Sequence, residues 1–403
     1  MWRSVRARRT AVAVSVVVLG IMGHDRAAGQ PAAPMEAQAS NQFALDLYGR
    51  LRRGTGNLIL SPLSISSALA MAQAGAAGQT AKEISAVLHI PLNASEAAAG
   101  YAELVTSLQR QKSAKVDLSI ANAVWGEQHV QFKQPFVDLL EQRYGATATS
   151  LDLARDPEGA RRQINDWVAD HTAGRIKDVV GPGTINRETK LVLTNAIYFK
   201  GEWDQCFKKS QTRDALFTAA DGSKVTVAMM NQTASFGYTR GYDYAVLELL
   251  YEGKGLAMDV FLPDLQNGLP AFESQLTEEG LRRDWMALEV QKVAVQLPRF
   301  SVTWGSDLRG DLAALGMRAA FDPSANFSSM SDLPLQISRL AHKALVEVNE
   351  QGTEAAAATS GTFLWSSAKP PRVFCADRPF LFIIRDLKRS TILFMGRLSQ
   401  PSE

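Results

Sequence analysis

The stretch that decides the reading is Glu347–Arg372, EVNEQGTEAAAATSGTFLWSSAKPPR. It follows Leu340–Val348, a segment that reads as a strand. It passes Gly352 and enters a run of small residues, Thr353-Glu354-Ala355-Ala356-Ala357-Ala358-Thr359. Phe363, Leu364 and Trp365 come next, then Ser366 and Ser367, and Lys369-Pro370-Pro371-Arg372 closes it. Two local readings are open. One is a short helix with Thr353 as N-cap and Glu354 in its first turn. Gly361 interrupts that helix early, and helices under about 12 residues are marginal without tertiary support. The other is a loop whose exposed Phe, Leu and Trp need a partner to account for them.

Outward from this stretch, helices and strands are mixed along the chain. Met35–Leu51 reads as a helix, with Phe43, Leu47 and Leu51 on one face. Ser61-Pro62 starts a second, since Ser is a good N-cap and Pro suits the first helical position. Phe132–Tyr144 and Gly159–Thr172 also read as helices, and Gly174 is a stop signal for the latter. Val116–Trp125 has strand character, and Lys190–Phe199 is too apolar and β-rich for an edge, so it reads as a central strand. Several short strands lie between Val225 and Leu262. Val290–Val302 reads as one long strand that Pro298 bends or places at an edge. Phe380–Arg385 and Thr391–Leu398 are two strands around a polar turn.

With 403 residues, a prior of about 100–200 per domain suggests two or three domains. No Pro/Ser-rich linker divides the chain, so the pattern reads as one large α+β domain. A hydrophobic content of 46% and a charged content of 21% exclude a disordered chain. Met1–Thr10 is Arg-rich, Ala11–Gly23 is an apolar run, and Ala27-Ala28-Gly29 offers small residues before Gln30. That is the three-part pattern of a secretory signal peptide, and the run is short for the alternative, a membrane anchor. Residues 1–29 are expected to be removed, leaving 30–403 outside the cytoplasm, extracellular or, in a bacterium, periplasmic. The leader carries a net +4 of the chain's +2, so the remainder stands at −2. Such a chain has no global attraction to nucleic acid or an anionic membrane. Cys206 and Cys375 cannot form a disulfide scaffold, and two buried free thiols are the default expectation over one bridge.

Linear enzyme motifs are missing: there is no G-x-S-x-G, no P-loop, no H-E-x-x-H and no C-x-x-C. His89, His129, His171 and His342 are scattered, and His171 near a helix end suits the helix dipole. Neither an enzymatic activity nor a cofactor or metal is expected. Arg110, Lys112 and Lys115 form the best local basic run, which reads as a solvated face. Asn93-Ala94-Ser95, Asn231-Gln232-Thr233 and Asn326-Phe327-Ser328 are glycosylation sequons.

The segment GTEAAAAT resembles the hinge of the reactive-centre loop of inhibitory serpins. SPLSISSALAMAQAGAAGQTAKEI (61–84), TNAIYFKGEW (194–203), FLPD (261–264), LPRFSV (297–302) and LGMRAAFDP (315–323) resemble serpin segments in the family's order. HKALVEVNEQGTEAAAAT (342–359), FCADRPFLFIIRD (374–386) and TILFMGRLSQP (391–401) continue the match, which runs from about residue 40 to the end. The ordered set is far more specific than any one motif. The resemblance implies an α+β serpin fold with three β-sheets, eight or nine helices and an exposed reactive-centre loop at about 352–369.

It also implies a bait for serine proteases. Cleavage forms an acyl-enzyme, the freed loop enters the main sheet as a new strand, and the covalently attached protease is carried away and distorted. The residues agree with that implication. In a strand, Thr353, Ala355, Ala357 and Thr359 share one face and are small enough to enter a gap, while Glu354 starts the other face. The hinge is Glu350, Gly352, Thr353, Glu354, Ala355, Ala356, Ala357, Ala358 and Thr359. Family spacing from Gly352 places the reactive bond at Ser366–Ser367, with Phe363, Leu364 and Trp365 as neighbouring specificity residues. A Ser before the cut suits elastase- or subtilisin-like targets, and a one-residue shift to Trp365 suits a chymotrypsin-like one. The family's shutter, where the sheet opens, is represented by Ser61, Ser64, Asn195 and His342. The implied partner is a serine protease held as a covalent acyl complex by a monomer, with no nucleic acid or membrane partner. A non-inhibitory serpin acting as carrier or chaperone, and an inhibitor of papain-like cysteine proteases, are the alternatives.

Overall fold

The computed structural model describes residues 35–90, 100, 115–350 and 370–401. The expected leader, the loop residues 352–369, the first sequon and Arg110 and Lys112 lie outside these. The described helices are α1 (Met35–Leu51), α2 (Pro62–Gly75), α3 (Gly78–Val87), α4 (Gln134–Leu139), α5 (Pro157–His171), α6 (Leu269–Ser274), α7 (Glu278–Met286) and α8 (Arg309–Leu315). The strands are β1 (Leu58–Leu60), β2 (Val116–Glu127), β3 (Thr147–Leu151), β4 (Leu191–Gly201), β5 (Arg213–Thr218), β6 (Lys224–Arg240) and β7 (Tyr244–Leu250). They continue with β8 (Leu256–Pro263), β9 (Glu289–Pro298), β10 (Phe300–Asp307), β11 (Ile337–Val348), β12 (Arg372–Cys375), β13 (Phe380–Asp386) and β14 (Thr391–Leu398).

One sheet has the order β10-β11-β4-β2-β3. Its β4 is buried over nine consecutive residues, Leu191–Phe199, because both of its faces are covered. On one face lies α2, whose Ser and Ala side chains let it approach closely. Ser61 caps it, its hydroxyl accepting from the Ser64 N–H, and Pro62 follows at the first helical position. On the other face lies α5, capped by Asp156 through the Gly159 N–H at 2.9 Å. Its Ile164 packs with Trp125, Val192 and Ala341 of the sheet, and its Val168 with Ala121, Ala196 and Tyr198. The chain leaves this helix through Gly174, at φ 71°, as expected for a glycine stop.

The other ladder runs β1-β14-β13-β8-β7-β6-β9-β12, with β5 also on β6. The 17-residue β6 belongs to two sheets: it pairs with β5 and β9 over its first part and with β7 at Gly237–Arg240. The described strands thus form two hydrogen-bonded sheets, the larger one divided at β6 into a part with β5, β9 and β12 and a part with β7, β8, β13, β14 and β1.

Three expectations need correction. Val290–Val302 is not one bent strand but two, β9 and β10, in different sheets. The break falls at Arg299, directly after Pro298, which lacks the N–H needed to continue a ladder. Phe132–Tyr144 is helical only from Gln134, and its last turn, Leu140–Tyr144, is a π-helix. The cysteines are free, but they are not two buried thiols: Cys206 is exposed and Cys375 is half-buried.

Candidate functional site

The centre of the main sheet is a seam. β4 and β11 run parallel, registered from Leu191 opposite Ile337 to Phe199 opposite Val346, while β10 and β2 flank them antiparallel. Parallel pairing is slightly weaker per residue than antiparallel pairing. A strand that entered between β4 and β11 from the C-terminal end of β11 would run antiparallel to both.

A polar row crosses the seam. Register sets Asn122 opposite Asn195, Asn195 opposite His342, and His342 opposite Ser306. The Asn195 amide Nδ2 donates to the Ser64 carbonyl at 3.0 Å, to the Ser64 hydroxyl at 2.5 Å and to Asn122 Oδ1. Its Oδ1 is left to accept, so His342 carries its proton on Nδ1 and donates at 2.5 Å. Ser61 donates to the Leu393 carbonyl at 2.6 Å, tying the helix start to β14. All four expected shutter residues thus meet in one buried network. His342 Nε2 has no partner, and burial drives the ring's pKa down to about 3. The ring is neutral and is not placed for acid–base catalysis.

The top of the seam is anchored by Glu350, expected as the first residue of the hinge. The Arg299 guanidinium donates to it at 3.1 Å and 2.5 Å, and the Thr212 hydroxyl at 2.7 Å. Burial alone would raise this carboxyl, but the hydrogen bonds from Arg299 and Thr212 reverse the effect and hold it below its ordinary value. Beside it, the Trp203 indole donates to the Asn349 carbonyl at 2.9 Å and stacks on Tyr251. Arg175, on the segment after α5, lies 5.3 Å from the Tyr198 ring on β4 and 3.7 Å from Glu347 on β11. It therefore touches both sides of the seam. A cleft of about 980 Å³ opens next to this anchor, lined by Arg299, Phe300, Val348 and Asn349 among others.

Sequence reasoning missed Asn122, Thr212 and Arg299. A lone Asn in an apolar strand was the signal for Asn122, and an Arg directly after a strand-breaking Pro was the signal for Arg299. Thr212 carried none. Of the other expected residues, Gly352–Thr359, Phe363, Leu364, Trp365, Ser366 and Ser367 lie outside the described residues. Lys115 is 3.7 Å from Glu202 and 3.4 Å from Glu252, so its charge is already engaged. The Asn231 amide donates to the Met229 and Gln211 carbonyls, whereas Asn326 is exposed. Among the described residues, no group of three His, Cys, Asp or Glu could hold a metal ion.

Comparison with protein families matches residues 38–401 to Serpin (serine protease inhibitor). The chain belongs to the serpin family. The leukocyte elastase inhibitor of Bos taurus is 42% identical over 375 residues, covering 90% of this serpin and 98% of that protein. The human leukocyte elastase inhibitor is 40% identical, covering 91% and 99% respectively. Among solved structures, uncleaved ovalbumin superposes with a TM-score of 0.83 at 28% identity, over 91% of this serpin and 100% of ovalbumin. An Arabidopsis serpin in its native stressed conformation gives 0.82 at 29% identity, over 91% and 98%. This serpin is thus a protease inhibitor rather than a catalyst, and its partner is a protease.

Proposed function

We propose that this serpin is a secreted suicide inhibitor of serine proteases that acts as a monomer after residues 1–29 are removed. The target's serine Oγ attacks the Ser366 carbonyl, and the Ser367 amine leaves with the proton, giving an ester between protease and Ser366. The severed segment from Gly352 onward then enters between β4 and β11, before water can hydrolyse the ester.

The observation that supports this reading best is the closed seam beneath an anchored Glu350. Parting β4 from β11 gives up one parallel ladder, and an inserted strand gains two antiparallel ones. The net gain of about ten backbone hydrogen bonds, at ~1 kcal/mol each, is roughly 10 kcal/mol. Opening must also break the His342–Asn195 bond, which opposes spontaneous insertion. Stored energy and a local barrier are what a trap requires. The small side chains of Thr353, Ala355, Ala357 and Thr359 favour rapid insertion over release of a cleaved product. Ser366 before the cut, and the elastase inhibitors among the relatives, favour an elastase- or subtilisin-like target.

The test is a denaturing gel of protein lacking residues 1–29 mixed with elastase, subtilisin, chymotrypsin or trypsin. A detergent-stable band near the summed mass, with a released peptide starting at Ser367, is expected. Cleavage at that bond without the band for all four, and for a papain-like protease, would replace the inhibitor reading with a carrier. Secretion is tested separately, by expressing the full chain in a secreting host and finding Gln30 at the N-terminus of the exported protein.

A further inference from the structure

The foot of the seam is closed differently from its centre. The ladder between β4 and β11 ends there in a bulge: register pairs Ile337 with Leu191 and Arg339 with Val192, so Ser338 is an extra residue. Bulges are rare in parallel pairs, and they re-aim a side chain or end a ladder. Here Ser338 is buried, and its hydroxyl accepts from the Lys190 N–H at 2.9 Å, just beyond the last ladder pair. Next to it, Arg339 Nε donates to the Thr184 carbonyl at 2.9 Å.

Both bonds cross the line along which the sheet must part. Lys190 stays with β2, whose Glu127 N–H donates to the Lys190 carbonyl at 2.9 Å. Thr184 belongs to the segment before β4, which α5 holds: Asn165 exchanges two 2.9 Å bonds with Val180, and Glu158 accepts from the Gly183 N–H at 3.4 Å. Ser338 and Arg339 move with β11 and β10, since Asp307 lies 3.5 Å from the guanidinium and accepts from the Leu340 N–H at 3.1 Å. Asp307 also keeps Arg339 paired once Thr184 is left behind, so this clasp opens without stranding a charge.

Its level in the sheet sets when it must open. With Thr353 level with Val348, the 12 residues of β11 are matched by Thr353–Leu364. Phe363 and Leu364 then arrive last, level with Ser338 and Ile337. The entering face is small from Thr353 to Thr359 and ends in Phe363 and Trp365, so its bulkiest side chains meet the clasp.

We propose that Ser338 and Arg339 are positioning residues that govern the last step of loop insertion, and with it the share of acyl-enzyme that is trapped. The inference rests on the inhibitor reading above. While the foot is shut, the loop is only partly inserted and the ester at Ser366 stays open to water. Water adding to that carbonyl frees the protease serine and leaves a Ser366 carboxylate. Opening the foot admits Phe363 and Trp365 and completes the transfer. The foot is roughly 40 Å from the top of β11, so neither residue touches the protease on encounter.

The experiment titrates active subtilisin with wild type, Ser338→Ala, Arg339→Met, the double variant and Arg339→Lys. It reads the excess of serpin consumed over protease inactivated, and separately the inactivation rate corrected for that excess. Both are read at about pH 7 and at about pH 9, where the protease's histidine base is more fully deprotonated and hydrolyses the ester faster. Each single removal is expected to cut the excess about fivefold, and the double variant about 25-fold. Arg339→Lys keeps a donor for Thr184 and a charge beside Asp307, so it should stay close to wild type. The corrected rate should be the same for all five proteins. An unchanged excess in the double variant, with covalent bands intact, would overturn the clasp and leave the inhibitor reading standing. So would a wild type that shows no excess at either pH, or a corrected rate that falls along with the excess. Arg339→Lys behaving as Arg339→Met would remove Arg339 from the clasp. If no protease gives a band, the inhibitor reading fails and this inference fails with it.

Discussion

Acid should loosen the central sheet through one side chain, His342. The ring is fully buried, its Nδ1 is bonded to Asn195, and its Nε2 faces no partner. Protonation would put a second N–H and a charge where nothing receives them, so burial lowers the pKa from 6.5 to about 3. The sign follows from linkage. A ring released by opening binds a proton below about pH 6.5, whereas the closed sheet holds it neutral. The closed state keeps its full stability above that pH and loses it progressively as pH falls toward 3. At about pH 5 the loss is about 2 kcal/mol, and it depends only on the released ring's pKa while the buried value lies well below 5. The assay is urea unfolding of wild type and His342→Gln, each at about pH 7.5 and about pH 5, reading the first transition. Glutamine keeps a donor for Asn195 Oδ1 and removes the titration. Asp259, whose carboxyl is pushed up by burial, responds to acid in the opposite direction. It is present in both proteins, so it cancels in the comparison. Wild type should lose about 2 kcal/mol more than His342→Gln between the two pH values. An equal loss in both would refute the reasoning that the buried neutral ring is an acid-sensitive lock.

Three other outcomes follow from the same contacts. Arg299→Ala leaves Glu350 buried with Thr212 alone, and should cost about 1–3 kcal/mol and increase polymer on native gels after mild heating. Thr353→Arg puts a long charged side chain on the face proposed to enter the sheet, so the covalent band should weaken and cleaved product accumulate on a denaturing gel. Asp156→Ala removes the cap of α5, the helix over the seam, and should lower stability by about 1 kcal/mol in urea titration.

Much of the fold was legible because local physics and tertiary position agreed. Leu191–Phe199 is apolar on both parities, and the structure covers both faces of β4. Ser61-Pro62 and Gly174 act as the start and stop signals they resemble. The shutter was reached through family motifs, since nothing local says that Ser61, Ser64, Asn195 and His342 meet. Their meeting depends on strand register, which also brings in Asn122, and register is not written in any short window of sequence. The break at Arg299 shows a different limit. Pro298 signalled a bend, but only the packing of two sheets turns the bend into a change of sheet and aims Arg299 at Glu350. The thiols failed for a simpler reason: the statistical burial of cysteine says little about one residue on an exposed turn.

The central claim is that the sheet between β4 and β11 is closed but poised to accept one more strand. It is tested most directly by cutting the loop with a protease the serpin does not trap, then comparing the melting temperatures of cut and intact protein. Insertion worth roughly 10 kcal/mol should raise the melting temperature of the cut form by about 13 °C in a protein of this length. A cut form that melts at or below the intact protein would show that the loop stays out, and the account of a spring-loaded seam would fall.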